Sequence, residues 1–136
     1  MLSRRNSRFA LGAVAATIAA AGAGAGYEYH HEQQDLRKHA EAITGGSVAH
    51  GRTLFAAYGC GGCHSVSGVP QAHGQIGPPL DTIGERAMIA GKLQNTPQNL
   101  ENWIVDPQAV TPGTAMPRLG VSPAQARDIA AFLYTR

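Results

Sequence analysis

Two stretches of the chain carry apolar side chains at the three- and four-residue offsets of a helix with one buried face. From Val48 to Tyr58, Gly51, Leu54, Phe55 and Tyr58 fall on one side. After Ser122-Pro123, Ala126, Ile129, Ala130 and Leu133 form a second stripe with Phe132 beside it. Ser47 and Ser122 stand where N-caps belong, and Pro123 suits a first helical turn. Glycine in mid-helix costs about 1 kcal/mol relative to alanine, so Gly51 predicts another element packed closely over it, and the last helix is the expected partner. A short helix is predicted over Glu85 to Lys92, with Met88 in the core. Another is predicted from Pro97 to Val105, ended by Pro107. Ser65 to Leu80 and Asp106 to Val121 are rich in proline and glycine without strand-like alternation, and read as loops. The expected fold is all-α, with about four short helices and long loops.

Upstream, Glu28 to Thr44 is charged, with Leu36, Ala40 and Ile43 at helical spacing but too little apolar bulk to bury a face. It reads as a solvated helical stalk, broken by Gly45-Gly46. Arg4, Arg5 and Arg8 precede an uncharged run from Phe9 to Gly26 that ends in small residues. This is the pattern of an export signal or an N-terminal membrane anchor. As a helix the run spans about 27 Å, slightly short of a hydrocarbon core of roughly 30 Å. Tyr27 and Tyr29 follow where an interfacial aromatic belt would lie, which favours an anchor, whereas the Gly-Ala repeat weakens it. The expected organisation is residues 1–26 as signal peptide or anchor, 27–46 as a polar stalk and 47–136 as the folded domain. The domain is then placed on the periplasmic side of a bacterial inner membrane, or soluble in the periplasm after cleavage.

The net charge of +2 belongs to the leader. Without residues 1–26 the chain has eight basic and nine acidic side chains. That balance offers nothing to nucleic acid. A folded unit of about 90 residues has a thin apolar core, which a buried cofactor would augment.

Cys60-Gly61-Gly62-Cys63-His64 supplies the candidate chemistry. Two thiols one turn apart with an imidazole directly after them form the attachment pattern for c-type haem. The thiols can form thioethers with the two vinyl groups, and His64 then provides the fifth ligand to iron. A structural zinc site needs a second ligand pair at matching spacing, and none stands out. A thioredoxin-type pair needs a strand-to-helix setting, whereas a helix precedes this motif and a loop follows it. A disulfide between thiols this close would close almost no loop and stabilise little. One covalently bound haem c is the reading that uses all five residues.

In order along the chain stand Gly51-x-x-x-Phe55, the Cys60 to His64 motif, Gly77-Pro78-Pro79-Leu80, Trp103 in a helix ending Asp106-Pro107, Met116-Pro117, and Ile129-x-x-Phe132. From Val48 to Arg136 this set resembles class I cytochromes c, the small single-haem domains of bacterial respiratory chains. The resemblance implies that Met116 is the sixth ligand. A neutral thioether favours ferrous iron and raises the reduction potential relative to a second imidazole. The loop Pro112-Gly113-Thr114-Ala115-Met116-Pro117, stiffened at both ends, suits that role. His30, His31, His39, His50 and His73 are the rival donors, with His73 the foremost because it follows the motif in a loop.

The resemblance further implies that the Pro78 carbonyl accepts from the His64 ring, that Trp103 packs on the haem, and that Arg86 neutralises a propionate. The implied function is one-electron Fe(III)/Fe(II) cycling without bond chemistry. Its partners would be a quinol:cytochrome c reductase, a dehydrogenase or a terminal oxidase. The rival readings are a haem enzyme or gas or peroxide sensor with a labile sixth ligand, and an assembly subunit with a structural haem.

Overall fold

The computed structural model describes residues 4–136, and their side chains from residue 12 onward. It divides into two units, residues 1–35 and 36–136. The first holds most of α1, which runs Arg4–Thr44. Arg4, Arg5 and Arg8, the expected positive start, lie outside the described side chains. Val14, Ile18, Tyr27 and Tyr29 are exposed, and the contacts are local, as in the Thr17 hydroxyl donating to the Ala13 carbonyl. Among the described residues no helix is long and apolar enough to cross a membrane. The expected run begins at Phe9, so its first side chains lie outside the described ones.

In the second unit the end of α1 is less solvated than its composition predicts. Leu36 and Ile43 are exposed, but Ala40 and Thr44 are buried. The break at Gly45-Gly46 is real, and its backbone donors are satisfied one by one. Gly45 N–H donates to the Glu41 carbonyl at 2.8 Å, Gly46 N–H to the Thr44 hydroxyl at 3.1 Å, Ser47 N–H to Asp128 Oδ1 at 2.8 Å and Val48 N–H to Glu41 Oε1 at 3.0 Å. A Cβ on Gly46 would lie 2.4 Å from the Arg127 carbonyl oxygen, so only glycine lets the chain pass here.

Helix α2 (Val48–Ala57) begins at the Ser47 cap, whose hydroxyl accepts from His50 N–H. Helices α3 (Pro97–Val105), α4 (Pro107–Val110) and α5 (Pro123–Leu133) follow, each with proline in its first turn. Ser122 and Gln125 form a reciprocal capping box at the start of α5. Helices α2 and α5 cross at Gly51, where an added Cβ would meet the Asp128 carbonyl oxygen at 1.8 Å. Phe55 and Phe132 meet edge to face in the core at 5.5 Å between ring centroids. The fold is all-α, as the periodicity predicts.

The segment 85–92 corrects the sequence reading. Instead of a helix it contains a 3-10 turn at Ile83–Glu85 and an antiparallel ladder of two-residue strands, β1 (Met88–Ile89) and β2 (Leu93–Gln94). Ala90 and Gly91 both have positive φ, at 49° and 67°, which no right-handed helix accommodates. Met88 is consequently exposed rather than packed in the core. Asn95 holds the turn in place: its amide donates to the Ile83 and Arg86 carbonyls at 2.7 and 2.8 Å. Tyr134 O–H in turn donates to Asn95 Oδ1 at 2.9 Å.

Burial, reinforced by the nearby Glu101 carboxylate, pushes the Tyr134 hydroxyl up to about 12 from an ordinary value near 10. The Glu101 carboxyl is itself pushed upward by burial, partly offset by Arg127 at 3.9 Å. For both groups the unfolded chain releases its proton first, so their contribution to stability is complete below the ordinary value and falls as pH rises through the folded one. For Tyr134 that window is pH 10 to about 12. Unfolding monitored across it should show a shallower loss of stability in Tyr134→Phe than in the parent protein. Equal slopes would remove Tyr134 from the account.

Candidate functional site

A short 3-10 turn over Cys60–Gly62 follows α2, entered through Gly59 at φ 69°. The His64 amide bonds back to the Cys60 carbonyl at 3.0 Å, which draws the imidazole up behind the thiols. The following loop is stitched to this motif by backbone bonds: Gly74 N–H to the Gly61 carbonyl, Gly77 N–H to that of Cys63 and Leu80 N–H to that of Ser65. A Cβ on Gly74 would come within 2.4 Å of the Gly62 carbonyl oxygen, and one on Gly77 within 2.3 Å of His64 Cε1. Both glycines therefore hold the loop against the motif.

His64 Nδ1 lies 2.8 Å from the Pro78 carbonyl oxygen. A carbonyl only accepts, so Nδ1 carries the hydrogen and the neutral ring keeps its lone pair on Nε2. That is the tautomer a metal-binding imidazole requires.

The motif forms part of the wall of a cavity of about 320 Å³. Cys60, Cys63, His64, Pro78, Arg86, Trp103 and Met116, all seven residues singled out in the sequence, line this one cavity. The remaining lining is mainly aliphatic and aromatic, including Leu80, Ile104, Val121 and Ile129. Concave, apolar walls with a few convergent donors are what a flat hydrophobic cofactor needs. None of the five rival histidines lines the cavity. His73 is exposed and pairs with Ser65 in an isolated bridge, and His50 is bonded to Asp128 at 2.7 Å.

Both cysteines are free and partly buried. Burial is the main cause pushing the Cys60 thiol up to about 11, with the neighbouring Cys63 adding to it. That shift describes the free thiol; a thioether has no proton to lose. Trp103 is partly buried in the wall. The Arg86 guanidinium, expected beside a propionate, donates to the Pro79 carbonyl and so braces the Pro78-Pro79 turn.

The cavity, its thiols and its imidazole define the architecture of a covalent haem-binding protein, and the residues present fit that group. A sequence profile of the cytochrome c family matches residues 48–136. The chain belongs to the cytochrome c family, and membership implies covalently bound haem c and haem electron transfer. The chain is 46% identical over 67 residues to cytochrome c oxidase subunit 2 of Alkalihalophilus pseudofirmus, covering 49% of this chain and 19% of that protein. It is 39% identical over 59 residues to cytochrome c oxidase subunit 2 of Bacillus sp. strain PS3, covering 42% and 17%. Against the same-named subunit of Bacillus subtilis it is 26% identical over 85 residues, covering 61% and 24%. The chain thus spans less than a quarter of the length of these curated relatives. No solved structure matches it significantly.

Proposed function

We propose that this protein is a single-haem electron carrier of a bacterial respiratory chain, in which Cys60 and Cys63 would attach the haem and His64 and Met116 would hold its iron. The observation that carries the reading is that both thiols, the His64 ring with its Nδ1 committed to Pro78, and Met116 all line one apolar cavity. The haem, when bound, supplies one-electron exchange at iron. The chain's own residues do the rest. Pro78 fixes the orientation and tautomer of His64 and makes it a better donor. Leu80, Ile104 and Ile129 exclude water, and Trp103 contributes an aromatic wall. An imidazole and a thioether both holding the iron would leave no position for a substrate, so the bound haem would supply electron exchange without bond chemistry.

The reading places the protein on the periplasmic side of the inner membrane, anchored by residues 1–26, or soluble in the periplasm once they are cleaved. Its donor would be a quinol:cytochrome c reductase or a dehydrogenase, and its acceptor a terminal oxidase. Similarity to subunit 2 of cytochrome c oxidases supports the acceptor side. Intact mass analysis of protein from periplasmic and membrane fractions tests the assignment. The expected result is a mass gain of one haem that survives denaturation, with no carbon monoxide binding to the native reduced form. Unmodified cysteines, or ready carbon monoxide binding, would overturn it. The same masses report whether residues 1–26 are retained.

A further inference from the structure

The loop bearing Met116 has little backbone bonding of its own. Among the described residues, the one backbone-to-backbone bond made by residues 112–121 runs from Thr114 N–H to the Thr111 carbonyl at 3.1 Å. Pro112, Gly113, Ala115 and Pro117 are exposed, whereas Met116 is partly buried. A mobile loop would be a poor mount for a thioether that must stay on iron.

The missing bonds come from one side chain. Gln108 Nε2 donates to the Thr114 carbonyl at 2.8 Å and to the Met116 carbonyl at 2.9 Å, and its Oε1 accepts from Gly113 N–H at 3.0 Å. The two carbonyls can only accept and the amide can only donate, so the carboxamide fits in a single orientation. Gln108 sits on α4, a four-residue turn fixed by buried Pro107 and by the Asp106 cap, whose Oδ1 accepts from Ala109 N–H at 3.0 Å. Gly113, at φ 82°, turns the chain so that its amide reaches back to the clamp.

We propose that Gln108 is a positioning residue that clamps residues 113–116 onto α4 and thereby holds Met116 at the cavity wall. The link to iron rests on Met116 being the sixth ligand; the clamp itself does not. Hydrogen exchange of the Gly113 amide and the sulfur-to-iron charge-transfer band, measured on haem-loaded protein, separate the two. In Gln108→Ala, Gly113 should exchange about fivefold faster, the loss expected for one hydrogen bond of ordinary strength. The charge-transfer band should disappear at a lower pH than in the parent. Gln108→Glu keeps an acceptor for Gly113 but sets a carboxylate oxygen against two carbonyls. It should preserve Gly113 protection yet move the loss of the band to lower pH as alanine does. Unchanged Gly113 exchange in Gln108→Ala overturns the clamp. Faster exchange with an unmoved band overturns its influence on Met116. A parent protein without the band overturns Met116 ligation alone, and the exchange data still decide the clamp.

Discussion

Gly51→Ala is expected to destabilise the haem-loaded domain by at least about 3 kcal/mol, although alanine is the better helix former by about 1 kcal/mol. The added Cβ would sit 1.8 Å from the Asp128 carbonyl oxygen and 2.4 Å from its carbon. An unstrained carbon-to-oxygen contact needs about 3.3 Å, so α2 and α5 would have to separate by roughly 1.5 Å. The obstacle is backbone, which has no rotamer to turn away. Separation would open the Phe55–Phe132 contact and strain the joint that Asp128 makes with Ser47 N–H. In a domain of about 90 residues the loss corresponds to a fall in Tm of roughly 15 °C. Thermal unfolding measures it. A neutral or stabilising effect would show that the helices are not in contact at this point.

Met116→Ala is expected to produce the largest change in chemistry with little change in fold. The side chain lies in a loop wall and is only partly buried, so truncation removes a modest apolar contact. Under the proposed ligation, it would also take the soft donor from the iron. The charge-transfer band should vanish, carbon monoxide should bind readily to the reduced form, and the potential should fall on the order of 100 mV or more. Met116→His should restore a closed coordination shell while leaving the potential low, since a second imidazole favours ferric iron. Spectra and a redox titration read all of this. A Met116→Ala protein that keeps the band would place the ligand elsewhere, and Met88 is a poor substitute because it is exposed and absent from the cavity.

What was legible in the sequence is what depends on near neighbours. Ser47 and Ser122 mark helix starts through cap bonds spanning three residues, Pro97 and Pro123 through their fixed φ, and all four stand where the helices begin. Gly51 betrayed the helix crossing because a mid-helix glycine is locally unfavourable and needs a reason. The seven candidate site residues were found through motif spacing and family resemblance, and the fold brings them to one cavity. The hairpin at Met88–Gln94 escaped because it rests on positive φ at Ala90, which no local preference of alanine suggests, and on Asn95 reaching back 9 and 12 residues. Gln108 escaped for a similar reason: its partners are backbone atoms five to eight residues ahead in a loop whose path is not written in its hydropathy. The burial of Ala40 depends on how the end of α1 meets the rest of its unit.

The stitching of the loop after His64 has a kinetic meaning. Successive backbone bonds from Gly74, Gly77 and Leu80 tie that segment to the attachment turn. Its carbonyl and amide dipoles are thereby tied to the attachment turn. Fixed dipoles of this kind would lower the reorganisation that accompanies electron exchange, and here they belong to a stretch with almost no regular secondary structure.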